Sequence, residues 1–140
     1  MTKDGAESRT RHDRPTQADE VKSVAAQHDV PLYIISTDGH AGRDAFFDAV
    51  RRVLPLDPPV IYPRWKSLSD SLWEGIRLLD IFRVAILWPD SSPFSQEAPR
   101  DFELALSLLR DVTDGLADVR ATAGKPVEVY IYVGKPSAAN

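Results

Sequence analysis

A small α/β fold is predicted by three features of this chain's hydrophobic pattern. Three short runs rich in β-branched and aromatic residues, Pro31–Ser36, Arg83–Trp88 and Val127–Val133, are separated by stretches whose apolar residues recur at helical spacing. The middle run, Arg83 to Trp88, is nearly all apolar, as in a strand covered on both faces. Strands joined through helices favour parallel pairing with right-handed crossovers. The expectation is a three-stranded parallel sheet packed with about three helices.

Residues 1–29 mix charges with Gln, Ser and Thr and hold only scattered Val and Ala. Such a stretch buries too little apolar area to offset its ordering entropy, so it is expected to be a disordered tail. Within it, Glu20 to His28 has Val21, Val24 and Ala25 at one-face spacing for a short helix. The domain is expected over residues 30–134, with a frayed end at 135–140. The first strand ends in Thr37-Asp38-Gly39-His40, a turn signal. From about Gly42 to Leu54 the period changes. Phe46, Phe47, Val50, Val53 and Leu54 share one helical face, and Arg43, Asp44, Asp48, Arg51 and Arg52 share the other.

Pro55, Pro58, Pro59 and Pro63 then stiffen an extended loop that carries Tyr62 and Trp65. A helix follows over Ser67–Leu79, with Leu68, Leu72, Ile76 and Leu79 on one side and Asp70 and Glu74 one turn apart on the other. Ser67 followed by Asp70 reads as a variant of the capping box. After the second strand, Pro89 and Pro93 break the chain and Pro99 suits a first helical position. Phe102, Ala105, Leu106, Leu109 and Val112 carry the next helix to about Gly115, and a loop leads to the alternating third strand.

At 140 residues this is one domain with room for a core. Its 43% hydrophobic and 27% charged residues are ordinary for a soluble protein. With no cysteine, disulfide and thiolate chemistry are excluded, which is compatible with a reducing cytoplasm. Neither a membrane-span-length apolar run nor a secretory signal is found, so a cytoplasmic location without membrane attachment is expected. Net charge is −4, and Ser67 to Asp118 alone carries ten acids against four arginines. That balance argues against a nucleic-acid partner and for a cationic one.

His12, His28 and His40 are isolated, and no His-x-x-x-His pair occurs, so no metal and no cofactor are expected. Gly39-His40-Ala41-Gly42 is too poor in glycine for a phosphate loop. Asp70 and Glu74 project from one open face with nothing nearby to raise a pKa, and no nucleophile–base pair stands out. Catalysis is not expected.

Asp70-Ser71-Leu72-Trp73-Glu74-Gly75-Ile76 resembles the Asn-Leu-Asp-Ala-Leu-Trp-Asp-Cys-Leu helix of the barstar family. These are small cytoplasmic inhibitors of secreted ribonucleases of the barnase type. Val84-Ala85-Ile86-Leu87-Trp88 is similar to that family's hydrophobic strand ending in tryptophan, and the spacing from Trp73 to Trp88 matches without a gap. Carried on ungapped, Arg110-Asp111 falls on the family's Arg-Glu, whose Glu is a further ribonuclease contact. The likeness covers roughly Leu32 to Val133.

The resemblance implies an immunity protein that forms a heterodimer with a basic ribonuclease or toxin. Its acidic helix and the loop before it would fill the catalytic cleft. It implies partner contacts at Trp65, Asp70, Trp73, Glu74 and Asp111. Carboxylates there would accept charge-assisted hydrogen bonds from catalytic Arg and Lys. The sequence departs from the family in the loop, where Arg64, Trp65, Lys66, Ser67 and Leu68 stand for Tyr-Tyr-Gly-Glu-Asn, and in having Glu74 for the family's Asp. These departures leave open an alternative, a barstar-like interaction or regulatory module whose partner is not a ribonuclease. From the residues alone, Asp70 also reads as a cap acid, Glu74 as a solvated acid paired with Arg77 or Lys66, and Trp73 and Trp88 as core.

Overall fold

The computed structural model describes residues 17–134. Its strands β1 (Leu32–Ile34), β2 (Arg83–Trp88) and β3 (Glu128–Val133) form one all-parallel sheet in the order β1-β2-β3. Leu32 pairs with Ala85 and Ala85 with Tyr130, so β2 is central. Five helices surround it: α1 (Gln17–Gln27), α2 (Arg43–Val53), α3 (Trp65–Arg77), α4 (Ser92–Glu97) and α5 (Pro99–Ala117). The expected α/β architecture is thus present, with more helices than expected.

The period-two alternation of the strands assigns their faces. Val84, Ile86 and Trp88 of β2, with Val129, Ile131 and Val133 of β3, point into the core with α2 to α5. Phe46, Phe47 and Val50 come from α2, Leu68, Leu72 and Ile76 from α3, and Ala105, Leu109, Val112 and Leu116 from α5. Trp88 is fully buried, with ring centroids of Phe46, Phe94 and Phe102 at 5.2, 5.1 and 5.6 Å. Such tilted and edge-on aromatic contacts concentrate packing energy in a small domain. The run Val84 to Trp88 is buried throughout, as a strand covered on both faces requires.

The second face is covered by the short helix expected near Glu20 to His28. Residues 17–27 form a helix, and Val21 and Ala25 of α1 are buried at 8% and 6% exposure. The apolar residues at that spacing find a sheet face to cover, which offsets the ordering entropy of the helix. Val24, expected on the same side, is 54% exposed. The rest of the expected tail, residues 1–16, and the end at 135–140 lie outside the described residues.

Helix boundaries moved where tertiary contacts outweigh local signals. The helix α3 begins at Trp65, two residues before the predicted Ser67, and ends at Arg77, so Leu79 falls beyond it and is 37% exposed. Its N-cap is Arg64 and no side chain caps it, so the Ser67–Asp70 capping box does not form. Asp101 of α5 caps α2 instead, accepting the Arg43 backbone N–H at 2.9 Å. The short helix α4 lies in the Pro-rich break, with a proline in its first turn. Pro99 opens α5 as expected.

Candidate functional site

The surface singled out by the sequence is the outer side of α3 with the loop leading into it. Leu68, Leu72 and Ile76 are fully buried, which fixes the helix's rotation and turns Asp70, Trp73 and Glu74 away from the deepest core. Gly75 lies on the buried side against the backbone of Pro55. A Cβ there would meet the Pro55 carbonyl group and come within 3.0 Å of the Leu56 nitrogen. The absent side chain lets the proline-rich segment lie directly on α3.

That segment is held at several points. The Asp57 N–H donates to the Ser71 carbonyl at 3.0 Å, and Arg51 Nε donates to the Val60 carbonyl at 2.9 Å. The Arg64 N–H donates to the Tyr62 carbonyl at 2.8 Å, and Val60 is buried. Between these anchors Ile61 and Tyr62 stand out at 77% and 70% exposure. Neither was singled out from the sequence. Their signal is two adjacent large apolar residues among prolines, with no periodic apolar partner to bury them.

Trp65 is corrected from loop to helix. In the first turn of α3 it is half-buried, stacked on Phe46 at 5.9 Å and edge-on to Phe47 at 5.1 Å. Its ring mainly serves the core. Trp73 is also half-buried. Its ring lies against Gly115 of α5, where a Cβ would come within 3.0 Å of Cδ1, and the Arg77 guanidinium carbon sits 5.6 Å from the ring centroid. A cation over an aromatic face is held by the ring's quadrupole.

Both carboxylates are ion-paired, and for Glu74 the reading as an acid paired with Arg77 holds. Asp70 remains exposed, but both its oxygens accept from Lys66 Nζ, at 3.1 and 3.2 Å. Glu74 is about two-thirds buried, with 32% of its side chain exposed. Arg77 grips it as a fork, Nε to Oε1 at 2.9 Å and Nη2 to Oε2 at 2.7 Å. Those hydrogen bonds from Arg77 hold the Glu74 carboxyl below its ordinary value and raise Arg77 in turn. Helical spacing is the reason. Cations three and four residues on either side of an acid are its nearest neighbours on a helix.

The expected negative patch on α3 is therefore a pair of closed ion pairs. Open negative charge lies on the neighbouring helix. Asp111 of α5 is exposed and has no ion pair among the described residues. It precedes Gly115 by one turn, on the strip of α5 that meets Trp73. The surface so assembled comprises the Ile61–Tyr62 knuckle, the Lys66–Asp70 and Arg77–Glu74 pairs, and Asp111 at its edge.

Among the described residues no cluster of three His, Asp or Glu side chains is placed to hold a metal ion, and no helix is long and apolar enough to cross a membrane. No family model, no curated protein and no solved structure matches the chain.

Proposed function

We propose that this chain is a barstar-like inhibitor of a ribonuclease, closing the enzyme's basic cleft with the outer side of α3, the loop before it and the Asp111 edge of α5. The reading rests on the family resemblance of the Asp70-to-Ile76 segment. The observation that carries it is the seat of Glu74. This acid is one-third exposed on a helix anchored by Leu68, Leu72 and Ile76, and it already accepts a two-pronged arginine grip. A catalytic arginine would use the same planar fork. Binding is then an exchange, in which Arg77 releases Glu74 to the partner's guanidinium and keeps its own place over Trp73. Because α3 is internally neutralised, long-range steering falls to unpaired acids such as Asp111.

A second reading draws on other features of the same surface. The closed Lys66–Asp70 pair and the exposed Ile61 and Tyr62 suit a protein partner with an apolar pocket in place of a cationic cleft.

An RNA-cleavage assay tests both readings, using secreted ribonucleases of the barnase type, with and without the purified protein. Inhibition at one-to-one stoichiometry, weakened at least tenfold by Glu74→Ala and little changed by Asp114→Ala, supports the first. Arg77→Ala, which removes the internal competitor, should preserve or tighten inhibition. A complex that forms and leaves cleavage untouched supports the second, and equal effects of Glu74→Ala and Asp114→Ala overturn the exchange.

A further inference from the structure

The face of the sheet opposite the core is only partly covered. Strand register places Leu32, Ala85 and Tyr130 on this face in one row and Ile34, Leu87 and Tyr132 in the next. Helix α1 lies across it and leaves a groove of about 520 Å³, walled by Val21, Val24 and Ala25 on one side and Ala85, Tyr130 and Tyr132 on the other. The volume falls in the ~300–1,000 Å³ range of small-molecule sites. Val24 and Tyr130 remain 54% and 39% exposed along it, so apolar surface stands ready to be covered.

Polar groups stand at both ends of the groove, Glu20 at one and Arg83 with its partner Glu128 at the other. After α1 the chain reverses at Asp29, whose φ is 56°, and the Val30 N–H donates to the Ala25 carbonyl at 2.9 Å. This turn brings His28 and Val30 to the end of the groove where Arg83 opens β2. Glu20, two turns earlier on α1, lines the groove away from that end. Arg83 gives its Nε to Glu128 at 3.1 Å, and Glu128 also accepts the Tyr130 hydroxyl at 3.0 Å. The two terminal guanidinium nitrogens of Arg83 have no partner among the described residues.

We propose that this groove binds a small amphipathic carboxylate, its acid on Arg83 and His28 and its aromatic or aliphatic body between Val24 and the two tyrosines. Arg83 supplies two parallel N–H donors, the pattern a carboxylate accepts. His28 adds a ring nitrogen at the same end. The site lies across the sheet from α3 and does not depend on what α3 binds.

The test is titration of the full chain with 4-phenylbutyrate and with its uncharged amide, followed by calorimetry and by amide-proton shifts. The acid should saturate the protein, with shifts confined to α1, the turn after it, the start of β2 and β3, and the amide should bind at least tenfold more weakly. Arg83→Gln should cost the acid the same tenfold and leave the amide unchanged. Val24→Trp, at an exposed position on the groove wall, should block both ligands without altering the far-ultraviolet dichroism. Equal affinity for acid and amide, an unchanged affinity in Arg83→Gln, or no saturation by the acid in the millimolar range would each overturn the proposal.

Discussion

Replacing Gly75 by alanine sets two effects of opposite sign against each other. In an exposed helix interior the change would stabilise, since alanine is favoured over glycine by ~0.8–1.0 kcal/mol. At this position the new Cβ would lie 2.5 Å from the Pro55 carbonyl carbon and closer still to its oxygen, where ordinary contact begins at 3.4 Å. Relief requires α3 and the Pro55–Leu56 backbone to separate by about an ångström, and neither side yields easily. Leu72 and Ile76 hold the helix, and the Asp57–Ser71 hydrogen bond at 3.0 Å holds the loop. Overpacking of this kind costs ~1–3 kcal/mol, and a backbone obstacle puts the cost at the upper end. Losing the loop's hydrogen bond adds ~1 kcal/mol. Subtracting the helical gain leaves a net loss of ~2–3 kcal/mol. Urea unfolding followed by circular dichroism reads this as a lower midpoint at unchanged slope. A variant as stable as the parent, or more stable, would refute the claim that the loop is clamped through this glycine.

Gly115→Ala is the informative contrast, because its Cβ would meet the half-buried Trp73 ring at 3.0 Å and not a backbone. Stability should change by less than ~1 kcal/mol, while the Trp73 indole N–H resonance moves and those of Trp65 and Trp88 stay; an unmoved Trp73 signal contradicts the contact. Leu72→Ala, at a fully buried position, should cost ~2–5 kcal/mol, and a loss below ~1 kcal/mol would mean that α3 is not seated as described. Glu74 supplies a pH test. Arg77 depresses its folded-state pKa, so its stabilising contribution is complete above its ordinary value of 4.5 and fades as pH falls through the lower folded value. The midpoint gap between the parent and Glu74→Gln should therefore hold at neutral pH and close in acid. A gap constant down to pH ~3 contradicts the pairing.

The architecture was largely legible because period and composition agreed in each long element. The unbroken apolar run Val84 to Trp88 announced a central strand, and Pro99 marked the start of α5. Helix ends were less legible. Ser67 offered a local cap, but the packing of Trp65 on Phe46 and Phe47 draws the helix back by a half turn. At the site, the positions of Asp70 and Glu74 on one helical side followed from spacing. The pairing of Glu74 with Arg77, three residues on, was one of the two readings its neighbours allowed; Lys66, the other cation, pairs with Asp70, four residues on. The prominence of Ile61 and Tyr62 is a property of the loop's anchors at Asp57, Val60 and Arg64, which no periodicity records. The burial of Val21 and Ala25 depended on an uncovered sheet face that exists only once three distant strands have met.

That meeting has an order built into it. Leu32 waits for Ala85 and Glu128 waits for Arg83, so the first and last strands share a single template and never touch each other. The second half of the polypeptide holds the β2–β3 pair but lacks β1, and the closures that bring β1 and β3 to β2 span long stretches of chain, which slows assembly. A product truncated before Glu128 would leave the middle strand with one bare edge, an invitation to pair with another copy. Such fragments should accumulate as aggregates, not as small folded subdomains.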